Sequence, residues 1–232
     1  MNEIIKCNAL TKHYNGEVGI QDVNLGIVRG RIVGLLGPNG SGKSTLIKLI
    51  NGMITPTRGE IFIDGKKPGI ETKKIVSYLP ERNCLNGWMK VNELVTFYDD
   101  FYRDFDKEKA YRLIETLEIN KKAKLKTLSK GTREKIQLIL VMSRQAELYC
   151  LDEPIGGVDP AAREYIIRTI INNYNKQATI LISTHLIADI EEILDDVVFI
   201  QEGSILKVEV ADQLRKENGM SIDEIFRRMY KC

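Results

Sequence analysis

Gly37-Pro38-Asn39-Gly40-Ser41-Gly42-Lys43-Ser44-Thr45 follows the spacing G-x-x-x-x-G-K-S of a loop that cradles phosphates. Its flanks agree. Ile32 to Leu36 is a short apolar run suited to a buried strand, and Leu46 to Ile50 begins a helix that Asn51-Gly52 ends. A strand, a glycine-rich turn and a helix N-terminus aim several backbone N–H groups at one point, where the helix dipole is positive. The glycines let the backbone approach a ligand with no Cβ in the way. Lys43 is placed to reach the terminal phosphates and the Ser44 hydroxyl to ligate Mg²⁺. All nine residues, Gly37 to Thr45, are therefore candidates for nucleotide contact.

The chain around this loop has 232 residues, with 43% hydrophobic and 28% charged side chains, ordinary for a globular protein with a sizeable core. Lys and Arg number 34 against 32 Asp and Glu, so a net charge of +2 favours no acidic partner and no nucleic acid is expected. Lys121 to Lys126 holds a cluster of lysines, read as a solvated loop or as a patch facing lipid or a partner. Cys7, Cys84, Cys150 and Cys232 are scattered without metal-ligand spacing, which fits reduced thiols in a cytosolic setting. No apolar run reaches the roughly 18–20 residues needed to span a bilayer, and the N-terminus does not read as a signal peptide. Work at a membrane requires another chain to do the spanning.

Strand patterns at Ile4–Cys7, Val23–Val28 and Ile61–Ile63 surround the loop, with a turn at Asn15-Gly16 and an apolar run Ile75–Leu79 stopped by Pro80. From Glu81 to about Arg144 helical patterns dominate: Val91–Tyr102, Lys107–Leu117 and Gly131–Ser143. Strand and helix then alternate: Leu148–Leu151, a helix Pro160–Tyr174, Thr179–Ser183, and a helix from about Ile187 to Leu194. A hairpin Val197–Val210 and helices at Ala211–Lys216 and Ser221–Tyr230 follow. The alternation predicts an α/β core with a parallel sheet, about 1–81 and 145–232, carrying a helical subdomain at about 82–144.

The apolar strand Leu148–Leu151 runs into Asp152-Glu153. Paired acids at the carboxyl end of a strand lie at a sheet's ligand edge. Asp152 is the candidate metal ligand, and Glu153 the candidate catalytic residue that polarises water.

At these residues the chain resembles, from end to end, the ATP-binding subunit of an ABC transporter. The string Asp152 to Pro160 is similar to the family's acidic motif and the loop behind it, which adds Asp159. Leu128-Ser129-Lys130-Gly131-Thr132 stands where the family has L-S-G-G-Q. Ser183-Thr184-His185 is similar to the segment with the γ-phosphate-sensing histidine, Tyr14 to the aromatic that stacks on adenine, and Glu81 falls at the Q-loop. The resemblance implies a P-loop NTPase core of ABC type with an antiparallel β subdomain and a helical subdomain after the Q-loop. It implies ATP and Mg²⁺, a metal set of Ser44, Glu81 and Asp152, and catalytic Glu153 and His185. Ser129, Gly131 and Asp159 are implied to act on ATP held by a second such domain, paired head-to-tail. An integral membrane permease completes the expected assembly, at the cytoplasmic face of a bacterial cell membrane.

Three positions depart from the pattern. Lys130 replaces the first Gly of the signature and Thr132 its Gln, and Glu81 replaces the Q-loop Gln. Lys130 adds a charge that either helps or crowds the partner's phosphates, Thr132 has less reach, and Glu81 cannot donate a hydrogen bond. The expected activity is ATP hydrolysis coupled to transport, closest to exporters of drugs or antimicrobial peptides. An importer subunit, a soluble ABC ATPase acting on ribosomes or DNA, and a non-hydrolysing structural partner are the alternatives. In a groove between the core and the helical insertion near Glu81 to Val91, Trp88 and Met89 are suitable apolar anchors for a permease helix, and are equally ordinary as buried core.

Overall fold

In the computed structural model, which describes residues 2–230, two sheets and a helical lobe share the chain. Cys232 falls outside the described residues. Strand β1 (Glu3–Tyr14) pairs antiparallel with β2 (Glu17–Val28) and with β4 (Arg58–Ile63) in the order β2-β1-β4. Asn15 (φ 48°) and Gly16 (φ 92°) turn the first hairpin, both with the positive φ that matches strand twist. The second sheet has six strands in the order β5-β6-β7-β3-β8-β9. Of these, β3 (Ile32–Leu36), β5 (Val76–Leu79), β6 (Leu148–Asp152), β7 (Thr179–Thr184) and β8 (Asp196–Gln201) are parallel, and β9 (Ser204–Val210) returns antiparallel to β8.

The parallel strands β3, β6 and β7 are buried at every position, as strands covered on both faces must be. Between the two sheets lies α1 (Lys43–Ile50), whose Leu46, Ile47, Leu49 and Ile50 pack with Ile4, Leu10, Ile20 and Ile61 on one side and Leu35, Cys150 and Leu181 on the other. The opposite face of the parallel sheet is covered by α6 (Pro160–Asn173), α7 (Ala211–Asn218) and α8 (Ile222–Tyr230). The short α2 (Ile70–Lys73) leads into β5 and was not visible in the pattern.

The helical lobe consists of α3 (Val91–Phe101), α4 (Lys107–Thr116) and α5 (Lys130–Met142) around Val91, Val95, Phe105, Ile114, Leu125 and Ile139. Helix α5 is wedged between cores: Ile136, Ile139 and Leu140 face the lobe, whereas Leu138, Val141 and Met142 join the parallel-sheet core. Met89 belongs to the lobe's interior, so it is packing material and not an exposed anchor.

One helix expectation fails. Ile187–Leu194 forms two 3-10 turns, Ile187–Asp189 and Glu191–Ile193, instead of an α-helix. The buried Ile187 and Ile190, three apart, eclipse in a 3-10 turn, whose period is three residues. Ile190 and Ile193 accordingly bond back to residues 187 and 190.

Candidate active site

Register brings the predicted segments together. Leu36 lies opposite Thr184, Asp152 opposite Ser183, and Leu79 opposite Leu151, so β3, β7, β6 and β5 end at one level of the sheet. Residues that follow these ends, Gly37–Thr45, Glu81, Glu153 and His185, open onto that carboxyl edge, where α/β sheets bind ligands.

A cavity of about 770 Å³ stands there. Its wall holds Asn39, Gly40, Ser41, Gly42, Lys43, Ser44 and Thr45 from the loop, with Tyr14, Glu81, Glu153 and His185 around it. Gly42 caps α1 at φ 105° with no side-chain cap, and no acid lies in the helix's first turn. The N-terminal N–H groups therefore keep their capacity for an anion. A Cβ on Gly42 would stand 2.5 Å from the Gly19 carbonyl oxygen, and one on Gly37 would stand 2.3 Å from that of Ile200, so both positions demand glycine. Ser41 Oγ is buried with no hydrogen-bond partner among the described residues, a polar atom left over at the phosphate cradle.

Lys43 is only 5% exposed, and its Nζ donates to the carbonyls of Gly37 (2.7 Å) and Pro38 (3.0 Å). Those two residues thus hold the lysine without lining the cavity themselves. Nζ also lies 3.5 Å from Glu153 Oε1. Burial pushes the Lys43 pKa below its ordinary value, and the Glu153 carboxylate opposes that shift.

Asp152, 2% exposed, sits behind the cavity wall. Ser183 Oγ donates to its Oδ1 at 2.6 Å and Ser44 Oγ at 3.1 Å. Burial raises its pKa, the two serine hydrogen bonds pull it down, and the charges of Glu81 and Glu153 add to the rise. Among the described residues no group of three His, Cys, Asp or Glu forms a metal cluster. The donor set Ser44 hydroxyl and Asp152 carboxylate suits a hard cation whose other ligands are phosphate oxygens and water.

Glu153 has a backbone φ of +48°, a left-handed conformation costly for a residue with a Cβ. Its N–H donates to both the carbonyl (3.1 Å) and the hydroxyl (3.0 Å) of Ser183, which fix that geometry. The twist turns the carboxylate out of the strand direction and toward the cavity. His185 Nδ1 stands 3.1 Å from Glu153 Oε2 and 3.2 Å from Oε1. An ionised carboxylate only accepts, so the proton lies on Nδ1.

The remaining predicted residues are elsewhere. Ser129 caps α5 by accepting from Thr132 N at 3.1 Å, Gly131 sits in that helix's first turn, and Asp159 caps α6 by accepting from Ala162 N at 3.0 Å. None of the three lines this cavity. Lys130 does, and it ion-pairs with Glu134 at 3.7 Å. Arg82, Asn83, Glu17 and Glu134 also line it and were not predicted. Arg82 and Asn83 were legible in principle, because they follow Glu81 directly.

Residues 20–156 match the family model described as ABC transporter. The chain belongs to the ABC transporter family. As an ABC ATP-binding domain it is an ATP-binding and hydrolysing protein, with the mixed α/β cassette fold. It is 32% identical to the ABC transporter ATP-binding protein YtrB of Bacillus subtilis (strain 168), over 92% of this chain and 74% of that protein. It is 29% identical to the SkfA peptide export ATP-binding protein SkfE of the same organism, over 88% of each. A solved ATP-binding subunit of an ABC transporter superposes with a TM-score of 0.85 at 29% identity, covering 98% of this chain and 99% of that one.

Proposed function

We propose that this ABC ATPase powers an exporter: two such domains close head-to-tail on ATP, at the cytoplasmic face of a bacterial membrane, and drive a separate integral permease. The observation that carries the pairing is the split between two sets of residues. Lys43, Ser44, Glu153 and His185 line one cavity with Asp152 behind its wall, whereas the helix caps Ser129 and Asp159, and Gly131 in the first turn of α5, do not line it. The second set is left for ATP held by a partner. The SkfE likeness supports the export direction. The chain is read as a single ATP-binding domain with its helical subdomain at about 82–144.

In this reading Tyr14 stacks on adenine and the loop Gly37–Thr45 wraps the phosphates with its N–H groups. Lys43 exchanges the carbonyls of Gly37 and Pro38 for phosphate oxygens. Ser44 and Asp152 would hold Mg²⁺, with Glu81 reaching it through water; when bound, the ion offsets charge on the phosphates. Glu153 orients a water and takes its proton as the oxygen bonds the γ-phosphorus and the bond to the β–γ bridging oxygen breaks. His185 leaves Glu153 to bond the γ-phosphate. Loss of that phosphate removes the bridge between domains, and the pair opens.

A groove of about 420 Å³ between core and helical lobe is the seat proposed for a permease helix; Met53, Tyr78, Cys84, Phe101 and Tyr102 line it. Phe101 and Met53 are 67% and 57% exposed, the apolar contact such a helix needs. Trp88 is not part of it.

The test is purification of the tagged protein from native membranes with ATPase assayed on the product. An integral membrane partner with ATP-dependent activity is expected. Recovery of ribosomes or DNA-repair proteins without a membrane chain would overturn the transport reading.

A further inference from the structure

Trp88 is 68% exposed and is the chain's single tryptophan. Its segment pairs with the lysine cluster. Lys90 and Lys124 form an antiparallel bridge, Leu125 N donates to Met89 O (2.9 Å), and Lys126 N donates to Gly87 O (2.9 Å). Alternation along the bridge turns Met89 and Leu125 into the lobe's core and leaves Trp88, Lys90 and Lys124 on the outer side. Lys126 stands against Gly87, its Cβ 3.4 Å from where a Cβ on that glycine would be.

Charges on this face are unbalanced. Lys121 is tied to Glu115 (2.5 Å) and lies over the Tyr111 ring, and Lys90 is 3.4 Å from Glu93. Lys122, Lys124 and Lys126 are exposed, and none has an ion-pair partner within 4 Å among the described residues. A lone amphipathic ring set among unpaired ammonium groups is the chemistry of a bilayer interface: indole settles at headgroup depth and lysines meet anionic phosphates.

We propose that Trp88 with Lys122, Lys124 and Lys126 docks the helical lobe directly on an anionic lipid surface. This deepens the membrane-associated reading, yet requires no permease. The patch adds lipid headgroups as a second hold beside the groove, and it orients the lobe toward the leaflet.

The intrinsic fluorescence of Trp88 reports the contact without labelling. Purified full-length protein is mixed with vesicles of pure phosphatidylcholine, or of phosphatidylcholine containing phosphatidylglycerol, including brominated lipids. Emission should shift to the blue and be quenched by bromine only with the anionic vesicles, and high salt should reverse both effects. The K122Q/K124Q/K126Q variant should lose roughly 100-fold in vesicle partitioning, with ATP turnover in solution retained as the check on folding. No shift at low salt, a shift of equal size on neutral vesicles, or undiminished binding by the triple variant overturns the proposal. So does a shift seen only with a co-purified protein partner. In that case the lipid docking falls while the transporter assignment stands.

Discussion

The Glu153 carboxylate and the His185 imidazole are paired, Oε2 to Nδ1 at 3.1 Å. Glu153 also neighbours Lys43 at 3.5 Å, so the group assigned to water activation is engaged by two groups assigned to phosphate binding. Exchanging Glu153 for Gln keeps an oxygen that accepts from His185 and removes the base. E153Q should lower kcat for ATP hydrolysis by about 10²–10⁴-fold, leaving ATP affinity unchanged. Unchanged turnover would remove Glu153 from its role; paired measurement of kcat and nucleotide Kd decides.

Asp152 is buried with its pKa above the ordinary 3.8. The folded chain then holds this proton more tightly than the unfolded chain, so the group's contribution to stability is full below 3.8 and is lost as pH rises through the folded pKa. D152N, neutral throughout, should melt like the parent at acid pH and at higher temperature than the parent near pH 7, without nucleotide or metal. Thermal melts across pH 3–8 check the sign. A D152N protein that is less stable at neutral pH would contradict it.

Arg144 is 3% exposed and joins lobe to core. Its guanidinium meets Asp104 at 3.0 Å, donates to the carbonyls of Val76 (2.5 Å) and Lys74 (2.8 Å), and lies 4.0 Å over the Tyr102 ring. Removing it strands a carboxylate, the buried carbonyl of Val76 and the part-buried carbonyl of Lys74. R144A should cost about 3–5 kcal/mol of unfolding free energy. R144K should recover only part, lacking the planar fork. Urea titration with an unchanged slope measures both.

Glu81 adds a negative charge to the cavity where a glutamine would add none. E81Q should raise the Mg²⁺ concentration for half-maximal ATP binding several-fold, by removing one attraction for the cation. Equilibrium binding of a fluorescent ATP analogue against Mg²⁺ tests this apart from turnover. An unshifted midpoint would take Glu81 out of the metal site.

Tyr14 is 40% exposed at the end of β1, with Lys12 Nζ 5.3 Å from its ring centroid. Stacking on a base is worth ~1–3 kcal/mol, so Y14A should weaken ATP binding by roughly 5–150-fold. Y14F should bind as the parent does. Calorimetry on the three proteins separates stacking from a role for the hydroxyl.

The parts of the site that were legible are those encoded within a few neighbouring residues. Gly37 to Thr45 announces its own turn and helix start, and Asp152-Glu153 ends an apolar run. Arg144 was silent because its partners lie far along the chain and nothing local distinguishes it from any other arginine. The turns at Ile187–Ile193 were misread because periods of 3.0 and 3.6 are indistinguishable over so few residues. Trp88 and Met89, adjacent in sequence, were read as one apolar pair; the bridge between Lys90 and Lys124 sends them to opposite sides. The positive φ of Glu153 carried no sequence signal, because the constraint comes from Ser183 on the neighbouring strand.

Strand β3 is clasped between β7 and β8, and a carbonyl of β8, that of Ile200, abuts Gly37 at the root of the phosphate loop. During synthesis, residues 32–36 emerge long before residues 179–201. At about 5–20 residues per second the interval is roughly 8–30 s. Throughout that time an apolar strand lacks both neighbours and the loop lacks its floor. The root of the phosphate loop is therefore complete only in molecules whose synthesis has passed β8.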